Sequence, residues 1–525
     1  MAEEAAHLSH IIAAFKKDGF DFQSSCSKNG RIGVSATYKY GAGAETKYKQ
    51  AYYVEGDHWT MGWLLGCMAE KAVASMTTDY RNNVIDAFFD LPVGQKAGLL
   101  HDIQSLLLNI VSSMVDKMKP DIPAEFAEEI NGLYQGCCDA NPKTLVTVKD
   151  LWELNIGVDA ILAHVYTGKL VENVVSPKFL KVPLYCNAFV APGSNSRRFF
   201  GRDFMFPTAD VFQSVACMII YRPDPVGPSP RCGFVSQTAP GIIGSLAAVN
   251  NNGVAIGINM SASYLCDPGR PGFNGLLLNR YCMELADSAK AAFKLVIDAQ
   301  RGVSWFYPIA DAEGNAFVVE AGRRLEDNEK FPYLDFIPGY YKRCLPSLQY
   351  IDEMQKKYGT KPPDHGAIVR SAKYVYPREY IDDWNKGLWN AFDRNLFEKI
   401  KDLLGDLGSI IVAIFTGKFK TLFPLLRKLV MQLVEGVPYN PDYFGARGYI
   451  DGTWTDNHCP GPFYFAPQRE SRPDVFIVSN HCISPEMRLV GMNAWTAIVG
   501  GASWDDIQWR YDELCNEVLA ALDGQ

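Results

Sequence analysis

Thirteen cysteines are scattered through the 525 residues with no framework spacing, and one of them stands at a change of texture. Cys186 opens the strand-like run LYCNAFVA, after some 185 residues in which apolar positions recur mainly at helical spacing. A lone cysteine is usually a small buried hydrophobe. Its thiolate is also a strong nucleophile, and a Gly-Arg pair, Gly201-Arg202, follows on the next strand-like run, RRFFGRDFMF. The eight histidines (His7, His10, His58, His101, His164, His365, His458 and His481) make no HExxH or other metal-ligand pair, and no GxSxG elbow accompanies them. Zinc chemistry and a histidine-based triad are therefore not expected, and neither a metal nor another cofactor is implied.

The elements that would position Cys186 read as follows. Helical spacing runs through Trp63-Leu64-Cys67-Met68, through Leu99–Ile110 and through DLWELNIGVDAILAHVY at 150–166. Strand-like runs follow Cys186, with a proline-rich hairpin loop at 222–231 and a tight turn at Asn251-Asn252-Gly253, since Asn-Gly supplies the positive φ such turns need. A helical stretch at 276–300, in which Asp287 is placed to cap the second half, precedes a hairpin turning at Glu313-Gly314-Asn315. DVFIVSNHCISPEM returns to strand and loop, and 503–521 reads as a closing helix.

Composition bounds the rest. Hydrophobic residues make up 48% and charged residues 21%, which describes a globular chain. A net charge of −8 and a pI near 5.6 give no reason to expect nucleic acid as a partner. The cysteine spacing reads as reduced thiols, and MAEEAAHLSHIIAAFKKDGF lacks the basic start and apolar run of a signal peptide, so a cytoplasmic location is expected.

CNAFVA…FFGRDFMF resembles the opening of the cysteine N-terminal-nucleophile (Ntn) hydrolases. The closest branch is the acyl-coenzyme A:isopenicillin N acyltransferase family, related to choloylglycine hydrolases and acid ceramidase. APGIIGSLAAVNNNGVAIGIN, NRYCMELADSAKAAFKLVIDAQR, IADAEGNAFVVE, SNHCISPEM and WRYDELCNEVL resemble later motifs of that family, in order, and VEGDHWTMGWLLG resembles its glycine-spaced propeptide element. Each motif alone is weak, but together they run through 50–190, 195–322 and 474–520.

The resemblance implies an α+β fold of four layers, αββα, with a helical pro-segment at 1–185. The core would comprise 186–329 and 471–525, with an inserted helical element at 330–470. It implies cleavage between Tyr185 and Cys186, after which the two chains stay associated. The freed α-amino group, with a reference pKa of about 7.7–8.0, would then act as base toward its own thiol. Cys186 would be the nucleophile, Arg202 an orienting or carboxylate-binding fork, Asn259 and Asn480 oxyanion donors, and Arg510 the arginine that shapes the nucleophile's electrostatics. The substrate would be a small-molecule carboxamide, its N-acyl bond cut through a thioester, with transfer to water or an amine.

One position departs from the family. Met205 stands where the family carries Asp, and Asp203 stands where Asn is usual. Residues 203 and 205 share a strand face, so Asp203 is a candidate to replace the missing acid. Two rival readings follow: a catalytically silent, uncut homologue that binds a ligand, or a lipid ester or thioester hydrolase on the same fold. The amphipathic stretch 407–434 is expected to pack as a helix pair, or else to meet an acyl chain or membrane surface.

Overall fold

The computed structural model describes residues 2–41, 47–80, 109–167, 186–193, 198–204, 211–329, 364–371, 474–490 and 504–523, apart from isolated positions within them, together with a few residues between 349 and 416. Tyr185 of the expected cleavage site, the helical pattern at 99–108, and nearly all of the expected insertion at 330–470, including the 407–434 stretch, lie outside these residues.

The strands are β1 (Phe20–Lys28), β2 (Arg31–Tyr40), β3 (Lys47–Gly56), β4 (Asn187–Pro192), β5 (Arg198–Asp203), β6 (Cys217–Pro223) and β7 (Phe234–Thr238). They continue as β8 (Ala247–Asn250), β9 (Ala255–Gly257), β10 (Asn259–Met260), β11 (Trp305–Ala310), β12 (Ala316–Ala321), β13 (Ala367–Ser371) and β14 (Phe476–Val478). The principal helices are α1 (Ala2–Lys17), α2 (His58–Ser75), α3 (Ala124–Ala140), α4 (Val148–Tyr166), α5 (Gly275–Leu285), α6 (Ala289–Asp298) and α7 (Trp504–Asp523).

The first 185 residues, expected to be mainly helical, also carry strands. Three strands of nine or ten residues occupy Phe20–Gly56 and form one edge of the larger sheet, in the order β1-β2-β3-β6-β7-β8-β9-β11-β12-β13, with β10 pairing β11. The junction is β3 on β6, a parallel ladder from Gln50↔Cys217 to Gly56↔Pro223, while the other ladders described are antiparallel. Such a pairing joins segments more than 160 residues apart, so no local pattern announces it. The expected hairpins at 251–253 and 311–315 are present, with Gly253 and Gly314 at positive φ. The cap of α6 is Ser288, whose hydroxyl accepts from Ala291 N at 3.2 Å, and not Asp287, which accepts from that hydroxyl instead.

A second sheet, β14-β4-β5, lies over β11 and β12. Phe306, Val318, Ala188, Val190 and Phe476 fill the space between the two sheets. On the far side of the small sheet, Phe189, Ala191 and Ile477 pack against Tyr511, Cys515 and Val518 of α7. On the far side of the large one lie α5 and α6, with α4 behind α5. The layer order is helix, sheet, sheet, helix, so the α+β, αββα expectation holds.

The N-terminal segment is tied into this body by charge as well as by the ladder. Arg280 of α5, fully buried, forks onto Glu129 of α3 (2.7 and 2.5 Å) and reaches Glu284 at 2.9 Å, which also faces His58 of α2 at 3.1 Å. Burial raises the Glu129 pKa, whereas Arg280, His58 and Arg231 overcome burial at Glu284 and hold it at about 2. The Arg-x-x-x-Glu spacing of the NRYCMEL motif is thus a structural clasp, with both residues on one helical face.

Candidate active site

Strand alternation decides what surrounds Cys186. Ala188 and Val190 face the large sheet while Phe189 and Ala191 face α7, so Cys186, in phase with Ala188, belongs to the inter-sheet face. The register sets Arg202 opposite Ala188, on that same face. Arg202 donates from Nη2 to Cys186 Sγ at 3.7 Å and to the carbonyl of Ile258. Burial lowers its pKa, and the negative charge of a Cys186 thiolate or of Asp203 works the other way. Beneath it Gly257 leaves room: a Cβ there would lie 3.5 Å from Arg202 Cγ and 3.2 Å from Phe200 Cζ.

Arg510 arrives from α7 on the opposite side. It donates to the Cys186 carbonyl at 3.3 Å, to Asn187 Oδ1 at 2.9 Å and to Asn480 Oδ1 at 3.4 Å. Asn480 in turn donates to Met260 O at 2.8 Å. Arg202 and Asn480 therefore grip the two carbonyls that flank Asn259. Asn259 pairs with Phe306, which lies in the inter-sheet core, so the Asn259 amide points into the space between the sheets. It is fully buried, and neither amide atom has a hydrogen-bond partner in the structure. A buried amide left unpaired costs roughly 1–3 kcal/mol, which a bound oxygen would relieve.

Five of the six sequence candidates, Cys186, Arg202, Asn259, Asn480 and Arg510, thus converge. Asp203 does not. It pairs with Asn187, on the face opposite Arg202, and its side chain is exposed. The strand parity that puts Arg202 beside the thiol necessarily turns Asp203 away from it.

Glu320 was not singled out from the sequence. Fully buried on β12, it accepts from Ile483 N at 2.9 Å, Ser484 N at 3.1 Å and the Ser484 hydroxyl, and pairs with Arg370 Nε at 3.0 Å. It thereby fixes the loop that carries Asn480. A glutamate within the apolar strand AFVVEA was the available signal, because a buried carboxylate demands partners. Beside β5, a cavity of about 780 Å³ is lined by apolar groups including Phe199, Phe200, Met218, Val235 and Val249. Phe200 lies two residues from Arg202 on the same face. Among the described residues no His/Cys/Asp/Glu group could hold a metal ion, and no helix is long and apolar enough to cross a membrane.

Comparison with known proteins adds the following. The chain is 30% identical over 375 residues to an uncharacterised protein of Archaeoglobus fulgidus, covering 70% of this chain and 56% of that one, so it spans about half the relative's length. The penicillin V acylase of Agrobacterium tumefaciens is a structural match at 14% identity and a TM-score of 0.20, covering 36% of this chain and 61% of that one, an overlap too small to bear on the fold. Residues 203–330 match the family of the acyl-coenzyme A:6-aminopenicillanic acid acyl-transferase, a span that holds Asn259. With the ordered motifs and the αββα layers, that match likens this part of the chain to the acyl-coenzyme A:6-aminopenicillanic acid acyl-transferase family of Ntn hydrolases.

Proposed function

We propose that the chain is a cysteine Ntn hydrolase or acyltransferase that cuts itself before Cys186 and cleaves a carboxamide through a thioester. The observation that carries this reading is the unpartnered, fully buried amide of Asn259, held beside the Arg202–Cys186 contact.

In this mechanism the α-amino group of Cys186 takes the thiol proton and the thiolate attacks the acyl carbon. Negative charge then develops on the carbonyl oxygen, where Asn259 donates, in an environment whose low polarity strengthens the bond. The amine product leaves with the proton from the α-amino group, and water or a second amine takes the acyl group by the reverse steps. Arg510, itself bonded to Asn480, holds the Cys186 backbone, while Arg202 donates to the Cys186 sulfur. The apolar cavity beside Phe200 suits the acyl half of the substrate. The lipid ester or thioester reading uses the same residues and differs only in leaving group.

The exposed position of Asp203 favours a second reading, an uncut ligand-binding homologue that lacks an acid at its nucleophile. One experiment separates the two. Intact-mass analysis of purified protein should find fragments 1–185 and 186–525, and Cys186→Ala should stay a single chain. Wild type that remains whole after long incubation, with no acyl adduct at Cys186 when challenged with activated acyl compounds, would establish the silent homologue.

A further inference from the structure

Arg370 lies on β13, inside the span that the sequence assigns to an insertion, yet β13 extends the large sheet beyond β12. An arginine in the run GAIVRS carries the same signature as Glu320 in AFVVEA, a charge on an otherwise apolar strand. Both residues are fully buried. The ladder sets Glu320 opposite Ile368, with Arg370 two residues along on the same face. That face is the inter-sheet one, because Ile368 and Val318, the partner of Arg370, line the inter-sheet core. Glu320 also belongs to a row, Asn259, Phe306 and Glu320, that crosses β10, β11 and β12 at one level. The carboxylate therefore stands on the same line of the sheet as the unpartnered amide of Asn259.

The pair closes from both ends on the segment that carries Asn480. Arg370 donates from Nη2 to Ile477 O at 3.0 Å, and Ile477 lies on β14, the outer strand of the small sheet. The Arg370 Nε faces Glu320 Oε1 at 3.0 Å. Glu320 in turn takes Ile483 N and Ser484 N, so one ion pair fixes both ends of the turn. Asn480 stands midway, three residues from Ile477 and three from Ile483. Its amide joins Met260 O, at 2.8 Å, to Arg510, which reaches Cys186 O at 3.3 Å. A displacement of this segment is therefore felt together at a carbonyl flanking Asn259 and at the backbone of Cys186.

Net stability is a poor explanation for such a pair. Burying both charges costs desolvation that their attraction roughly offsets, and well-packed apolar residues often serve a fold as well or better. Apolar residues cannot, however, hold two points of a loop at hydrogen-bond length. The planar guanidinium presents donors at set angles, one toward the carboxylate and one toward the carbonyl, a geometry that the point charge of lysine does not reproduce.

We propose that Arg370 is a positioning residue for the reaction at Cys186. Paired with Glu320, it fixes residues 477–484 so that Asn480 holds Met260 and Arg510 in register with the thiol, and β13 belongs to the catalytic body. Arg370 acts through Asn480 and exchanges no proton. This inference rests on the reading of Cys186 as the nucleophile.

The test compares two reactions at one sulfur, read on the Cys186 peptide by mass spectrometry of the protein made from the full chain. p-Nitrophenyl butyrate acylates the thiol through a tetrahedral oxyanion, whereas iodoacetamide alkylates it by displacement with no oxyanion. Arg370→Lys keeps the charge and loses the fork. The double variant Arg370→Met, Glu320→Leu removes both charges together and leaves no unpaired buried ion, so it tests geometry without the penalty of a broken pair. The expected result in both is acylation slowed by about 10- to 100-fold, the scale for a group displaced by about 1 Å, with alkylation within about twofold of wild type. Hydrogen exchange across 479–484 should quicken in both. Acylation at the wild-type rate in the double variant overturns the proposal. A parallel fall of both reactions also overturns it, since that marks a role in stability alone. Wild type that takes the acetamide but no butyryl group at Cys186 overturns the nucleophile assignment itself, a failure visible before any variant is made.

Discussion

Helices α2 and α3 cross with their backbones in contact, through Gly62 and Gly66 on one and Gly132 and Gly136 on the other. A Cβ built on Gly66 would lie 2.9 Å from Cys137 N and closer still to Leu133 O; on Gly136 it would lie 2.9 Å from Cys67 N and against Trp63 O. These are rigid helix backbones, so a methyl group can enter only if the crossing opens by about an ångström. Two effects then compete in Gly66→Ala. Helix propensity favours Ala by about 0.8–1 kcal/mol, whereas forcing extra volume into a close-packed contact costs about 1–3 kcal/mol. Here the obstruction is backbone on both sides, so the upper half of that range applies and the net effect is destabilisation of about 1–2 kcal/mol. Gly66→Ala and Gly136→Ala open the same crossing, so the double variant should lose less than the sum of the singles. Thermal unfolding followed by tryptophan fluorescence reads this directly, because Trp59 and Trp63 line the crossing. A higher melting temperature for Gly66→Ala would mean that propensity wins and the helices are not in backbone contact, which would refute the reasoning. Additive losses in the double variant would refute the shared opening.

Glu284, held at about 2 against an ordinary carboxylate value near 4.3, stabilises the fold fully above the unfolded pKa, and that contribution drains away as pH falls toward 2. Unfolding curves between pH 6 and 3 should therefore show acid-induced loss of stability that Glu284→Gln reduces. Because Arg280 is left buried without that charge, the same variant should be less stable than wild type at pH 7 by roughly 3–5 kcal/mol. Glu320→Gln should loosen the 480 loop and slow acylation of Cys186 by tenfold or more while leaving melting of the N-terminal segment unchanged, as read by hydrogen exchange. Asp203→Asn should cleave and acylate within about threefold of wild type, since its side chain is exposed on the far face of β5; a loss above tenfold would show that it reaches the site. Met218→Asp, in the cavity wall, should lower rates for long N-acyl substrates more than for acetyl ones; equal effects on both would remove the cavity from the acyl path.

What was legible in the sequence is what neighbouring residues decide between themselves. The Asn-Gly turn at 251–253, the paired helices of 275–298, the helix at 148–166 and the closing helix at 504–523 follow from φ preferences and apolar spacing acting over a few residues. The short order Cys186…Gly201-Arg202 was readable for the same reason, because one hairpin joins the two strands. Tertiary structure alone decided the rest. The β3–β6 ladder joins strands whose own sequences do not specify a partner, so the sheet's N-terminal edge could not be read locally. Alternation was visible in FFGRDF, but whether Arg202 or Asp203 turned inward depended on the register with β4 and on what packed over it. Asn480 and Arg510 reach Cys186 from some 300 residues away through folds of chain that carry no local trace of the meeting. Tyr166 reads in the sequence as the apolar end of a helix. Only packing, by burying its hydroxyl without a hydrogen-bond partner, distinguishes it from an ordinary core aromatic.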